Sequence, residues 1–163
     1  MADAKMEIHV QGLDSLIAKI DVKAKVTKRQ VKDAGQDIAN FAQREAKVRL
    51  LNHTRTGNLV RNIRVYAKPA PNGWEIKMSV TQGAPYAKWV EHGTGLFGPR
   101  HALIYAKRGG VMRFQAGFPT GAIVYAKHTK GMKGVHFMEE AAKAAKAYAP
   151  VRLQQLAHDV GNL

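Results

Sequence analysis

Apolar residues recur at helical spacing from Leu13 to Leu51, and this run limits the fold more than any other stretch. Leu13, Leu16, Ile17 and Ile20 make one stripe. Val26 (or Val22), Val31, Ala34, Ile38, Phe41, Ala42 and Val48 continue it, with Lys and Arg on the opposite face. The pattern predicts helix over residues 13–51, in one piece or two. Unbroken, it would span roughly 50 Å at about 1.5 Å per residue. One small core cannot cover that length. Two arrangements therefore stand side by side: part of the helix meets a neighbouring subunit, or a lone helix crosses a small sheet. Gly35 within the run either weakens the helix or admits a close packing partner.

The other elements follow from simpler signals. Met6–Val10 alternates apolar with polar and reads as a short strand. Thr56-Gly57-Asn58-Leu59 reads as a tight turn leading into a strand that carries Ile63, Val65 and Tyr66. Pro69-Ala70-Pro71-Asn72-Gly73 is a turn signal. Trp74, Ile76, Met78 and Val80 then alternate with Glu75, Lys77 and Ser79, so residues 61–80 are expected to form an antiparallel hairpin with one dry face.

Pro85 to Gly95 is the densest patch of special residues. Pro85 suits the first turn of a helix, and Tyr86, Trp89 and Val90 fall on one face. A short amphipathic helix over 85–92 is expected, plugging its aromatic pair into a core. Gly93 would stop it in a left-handed conformation. Residues 96–134 read as a basic loop-and-strand region. In it a strand over 102–105 turns at Gly109-Gly110 and returns over 111–114, followed by a short strand at 123–125. The triplet Tyr-Ala-Lys ends or begins elements at 66–68, 86–88, 105–107 and 125–127, with surroundings too different for a solenoid. The closing helix, over 136–160, carries Phe137, Met138, Ala141, Ala144, Ala145 and Tyr148 on one face, with Glu139 and Glu140 in its first turn. Pro150 is expected to kink it.

The fold class expected is α+β: a long N-terminal helix and a C-terminal helix packed on a small, mostly antiparallel β-sheet, with a long basic loop/hairpin insert, as one domain over 1–163.

Composition narrows the function. The chain has 163 residues, 45% of them hydrophobic, enough for one real core, and it has no cysteine. Thiol nucleophiles, disulfide scaffolds and cysteine-bound zinc are excluded. No apolar run approaches a membrane span, and Met1–Glu7 lacks the basic-then-apolar order of a secretion signal. A soluble protein made and kept inside a cell, or in an assembly built there, is expected. The formal charge is +14. Ala46–Trp74 and His92–Met138 contain no acidic residue, and such fields attract polyanions or an acidic partner. Arg100, Lys107, Arg108, Arg113, Lys127, Lys130 and Lys133 are the candidate DNA-facing residues, through sequence-independent phosphate contacts. Tyr66, Tyr105 and Tyr125 beside lysines are weaker candidates for base stacking.

Catalytic chemistry has little to stand on. The seven histidines show no His-x-His or His-x-x-x-His spacing, so no metal site and no cofactor is expected. Glu91-His92 is the one tempting acid–base pair, but adjacent helical residues do not face each other. Gly131-Met132-Lys133-Gly134 is a weak phosphate cradle, better read as a mobile surface loop.

Three stretches taken in order carry a resemblance. They are Thr56-Gly57-Asn58-Leu59, then Pro85-Tyr86-Ala87-Lys88-Trp89-Val90-Glu91-His92-Gly93-Thr94, then His136-Phe137-Met138-Glu139-Glu140-Ala141. Together they resemble the tail-component family of tailed bacteriophages, whose members are described as minor tail, neck or tail-completion proteins. The resemblance spans about residues 50–145. It departs from the family pattern at His136, where proline is usual.

The resemblance implies a non-enzymatic virion protein at the head–tail junction or upper tail, present in the host cytoplasm during assembly. It also implies a homo-oligomeric ring, hexamer or dodecamer, around the DNA path, with neck or connector and tail-tube proteins as partners. Gly57, Leu59, Tyr86, Trp89, Val90, Glu91, Gly93, Thr94, Phe137 and Met138 are then the structural motif, and Leu96, Phe97, Phe114 and Phe118 candidate interface loops. A DNA-binding accessory protein using the basic loops is the alternative, and a small hydrolase or nuclease built on Glu91 and His92 is the third reading.

Overall fold

The computed structural model describes residues 5–10, 24–53, 56–70, 73–115 and 121–161. Backbone contacts group the chain into two units, the first Met1–Ala87 with Phe137–Leu163 and the second Lys88–His136. The architecture is α+β, with N- and C-terminal helices flanking small antiparallel sheets.

In the first unit, strand β1 (Lys5–Val10) is followed by helix α1 (Ala24–Leu50) and the short helix α2 (Asn58–Asn62). The hairpin β2 (Ile63–Ala70) and β3 (Gly73–Val80) comes next, and helix α4 (Phe137–Gly161) closes the unit. The sheet order is β1-β3-β2, all antiparallel, with Ile8 opposite Ile76 and Val65 opposite Met78. The clean alternation of β3 thus marks the central strand: Trp74, Ile76, Met78 and Val80 are buried. On the other face Lys77 and Glu75 form a partly exposed ion pair at 3.0 Å. Pro69 is tolerated because β2 is an edge strand and its missing N–H leaves no ladder bond unmade.

The buried face of α1 follows Ala34, Ile38, Ala42, Ala46 and Leu50, a strict four-residue row. Val48, expected in that stripe, is 54% exposed. It lies two residues from both Ala46 and Leu50, which puts it on the far side of the helix. The segment 13–23, with Leu13, Leu16, Ile17, Ile20 and Val22, lies outside the described residues. Helix α4 buries Phe137, Ala141, Ala145, Ala149 and Leu156.

The two helices run antiparallel, since Phe41 stacks on Tyr148 at 4.3 Å while Asp37 accepts from Arg152 Nε at 2.9 Å. Rows of alanine on both sides permit that close approach. Pro150 is exposed and lies inside α4, which runs on through it to Gly161.

Gly35, next to Ala34, is also buried. A Cβ there would come within 2.6 and 2.7 Å of Trp74 Cε2 and Cε3, so the indole rests on bare helix backbone. Of the two readings of this glycine, a close packing partner is the one observed.

The second unit opens with most of helix α3 (Ala87–His92), whose first residue belongs to the first unit, and contains four short strands. These are β4 (Ile104–Tyr105), β5 (Met112–Gln115), β6 (Ile123–Ala126) and β7 (His128–Thr129). Here the expected pairing is corrected. The 102–105 strand does not turn at Gly109-Gly110 to pair with 111–114. Instead β4 pairs with β7 and β5 with β6. Between β4 and β5, Lys107–Gly109 forms a turn of 3-10 helix in place of a two-residue hairpin turn. The Tyr-Ala-Lys triplets at 105 and 125 do end beside each other, with Ala106 N–H donating to Lys127 O at 3.1 Å.

Candidate assembly surface

The second unit is built around a backbone clasp. Chain 90–96 runs antiparallel to 130–136. Thr94 and Leu96 donate to Met132 O and Lys130 O, both at 2.9 Å, and Val135 and His136 donate to Val90 O and Glu91 O at 2.8 and 3.1 Å. The Thr94 hydroxyl accepts from Met132 N–H at 3.0 Å.

The strands of the clasp nearly touch. A Cβ on Gly95 would stand 2.8 Å from Lys130 C and 2.9 Å from Gly131 Cα, and both glycines have positive φ, 64° and 84°. No other residue satisfies both demands. Two of the four N–H groups of Gly131–Gly134 are already bonded within the unit. Met132 N–H is bound to Thr94, and Gly131 N–H to Thr129 Oγ1 at 3.3 Å.

The clasp holds an apolar and basic surface. Exposed large apolar side chains concentrate in this unit: Trp89, Leu96, Phe97, Ile104, Tyr105, Val111, Phe114, Ile123, Tyr125 and Met132. Its formal charge comes from eight Lys and Arg against one acid, Glu91. Glu91 is buried and makes contacts of its own. Lys133 Nζ lies 5.8 Å from the Phe97 ring centre and Lys88 Nζ 5.2 Å from that of Trp89, so cations and aromatic faces share the surface.

The residues singled out from the sequence divide between the units. Gly57 takes φ 67° ahead of α2 and accepts from Arg61 N–H at 3.0 Å, and Leu59 is buried. Asn58 Nδ2 donates to Gly83 O at 2.7 Å and Asn62 to Asn58 O at 2.8 Å, with Thr81 Oγ1 on Asn62 Oδ1. The Thr-Gly-Asn-Leu stretch thus ties the start of the hairpin to its end. Tyr86 is half-buried and Phe137 and Met138 are buried, all in the first unit.

Trp89, Val90, Glu91, Gly93 and Thr94 belong to the second unit. Trp89 corrects an expectation: it does not plug a core but is 51% exposed. The helix starts at Ala87, not Pro85, and its buried positions are Ala84 just before it, Ala87 and Glu91. Trp89 lies off that face.

Leu96, Phe97 and Phe114 are exposed, at 38%, 42% and 39%. Phe118 lies outside the described residues. Arg100, Lys107, Arg113, Lys127, Lys130 and Lys133 are all exposed, whereas the side chain of Arg108 is outside the description. Sequence reasoning missed the exposure of Ile104 and Ile123. It also missed the partnership of the 93–95 and 131–134 glycines. Two glycine pairs of close spacing were the available signal, but nothing local says that they meet.

Among the described residues no three His, Asp or Glu side chains could share a metal ion, and no helix is long and apolar enough to cross a membrane. Compared with models of known families, residues 9–93 match that of the HK97-gp10-like bacteriophage tail components, just over half the chain. The match covers α1, the hairpin and α3 and stops at Gly93. No curated protein and no solved structure matches.

Proposed function

The chain belongs to the HK97-gp10-like family of bacteriophage tail components, and from that premise we propose that it is a neck or tail-completion subunit. It closes into a ring of identical copies at the head–tail junction or upper tail, around the DNA path. The observation that carries this reading is the exposure of Leu96, Phe97 and Phe114 in the second unit. Large apolar groups left in water on so small a unit mark a surface meant to be covered. In a ring the contact is heterologous, one face of a copy meeting a different face of the next. Function lies in assembly: loops ordered on contact join tube to neck, and the exposed cations tolerate passing DNA.

Complementation of a phage or prophage lacking this protein tests the reading. Without it, heads and tails accumulate unjoined or tails lack a finished upper end, and the wild-type chain restores particles. Phe97→Asp with Phe114→Asp does not restore them although the protein is folded. Gold labelling places the subunit at the neck. Labelling at the distal tail tip, or full restoration by the double variant, sinks the proposal.

The second reading, a sequence-independent DNA binder, is favoured by one observation: Lys127, Lys130 and Lys133 are all exposed within seven residues. It requires duplex binding by the free protein that falls steeply with salt and is lost when those lysines are neutralised.

A further inference from the structure

An open pocket of about 610 Å³ lies within the second unit. Trp89, Pro99 and Ile104 supply its apolar lining, and Lys88, His92 and Arg100 its polar rim, over a floor of backbone at Gly93–Gly95 and Gly98. Within that floor Thr94 N–H is bonded to Met132 O in the clasp and Gly98 N–H to Gly95 O. No acidic side chain lines it. Lys88, His92 and Arg100 have no ion-pair partner among the described residues. Trp89 and Arg100, which both line it, are residue types that most often anchor protein interfaces.

We propose that this pocket is the docking site for an acidic segment of a different protein, a segment carrying one large apolar side chain. The apolar group lies against the Trp89 indole and reaches toward Pro99 and Ile104, while flanking carboxylates pair with Lys88 and Arg100. Charge complementarity selects this occupant. A second copy of the chain is a poor one: outside 88–136 it carries eleven acids but eighteen Lys and Arg, so both units are net positive. Duplex DNA presents phosphates on a convex surface and offers no protruding apolar group to Trp89. The inference does not depend on ring formation.

Two tryptophans make the test direct, because Trp74 is 3% exposed and Trp89 51%. The probe is the synthetic peptide acetyl-Glu-Asp-Leu-Phe-Glu-Asp-amide, titrated into the full chain. Binding is read as a blue shift of tryptophan emission and as anisotropy of a fluorescein-labelled copy. The peptide is expected to bind. Replacing its Leu-Phe by Ser-Ser, or its acids by Gln and Asn, weakens it roughly tenfold or more. Trp89→Ala and, separately, Arg100→Glu do the same while the melting temperature and far-ultraviolet spectrum stay those of wild type. Arg100→Glu sits on an exposed loop, so the test survives if Trp89→Ala fails to fold.

Equal binding of the Ser-Ser peptide, or none of the parent peptide at millimolar concentration, overturns the proposal. So does a Trp89 shift produced by a duplex but not by the peptide, which would assign the pocket to nucleic acid. A concentration-dependent shift in the protein alone, abolished by Trp89→Ala, would assign it to a second copy.

Discussion

At Gly35 two effects of opposite sign meet. Alanine there would gain about 0.5–1 kcal/mol in helix propensity. Its Cβ would also press to within 2.7 Å of the buried Trp74 ring, and overpacking of a tight core costs about 1–3 kcal/mol. The second wins. Gly35→Ala should lower the denaturant midpoint with the slope unchanged, and Trp74→Phe in the same chain should recover part of the loss.

His136 is a second special residue. Its φ is 51° and its N–H donates to Glu91 O, and proline can supply neither. Proline at 136 is therefore excluded by the backbone. His136→Pro should loosen the clasp, seen as faster amide exchange at Val135 and Thr94. Charge at the surface behaves more gently. Hydrogen bonding to Glu140 and Glu139 raises Lys143 to about 12, and the Lys143 ammonium lowers Glu140 below its usual 4.5. The carboxylate's share of stability is present above its unfolded value and lost as pH falls through the lowered one. The ammonium's share is present below its ordinary 10.5 and lost as pH rises through about 12. Both groups are exposed, so the shift is the measurable quantity: Lys143→Met should return the Glu140 carboxyl titration upward toward 4.5 in a carbon-13 experiment.

At the scale of elements, helices and the long hairpin were legible because their signals are local and repeated. Trp74 to Val80 alternates over seven residues, and Ala34 to Leu50 keeps a four-residue row. The short strands were not legible. The strands Ile104–Tyr105 and His128–Thr129 have two residues each, and they pair across more than twenty residues of chain, which no local signal reports. Trp89 was misplaced for a related reason. Three-to-four-residue spacing says which residues share a face, not which face is covered; the covered face here carries Ala84, Ala87 and Glu91 and leaves Trp89 out.

Pro150 remains the exposed flaw in the last helix. It removes one donor and crowds the preceding turn, at a cost of about 3 kcal/mol in an ideal helix. Pro150→Ala should therefore raise the melting temperature, by an amount corresponding to about 1 kcal/mol or more, with the fold unchanged by circular dichroism.

The whole molecule sets its charge against its apolar surface. Each copy carries +14, so bringing copies together costs repulsion, while Leu96, Phe97 and Phe114 favour contact. Repulsion between exposed charges acts over about 10 Å at 0.1 M salt and about 3 Å at 1 M, whereas apolar burial is not weakened by salt. If the ring is held by apolar contact, association should grow as salt is raised. An added polyanion should replace salt by neutralising the same field. Sedimentation velocity across that salt range would show a larger discrete species gaining at the expense of the monomer. Phe97→Asp with Phe114→Asp should hold the protein monomeric throughout, whereas Trp89→Ala should leave the distribution unchanged, because the pocket is assigned to a different partner. Association that instead falls as salt rises would mean that the copies meet through opposite charges, and the apolar loops would need another role.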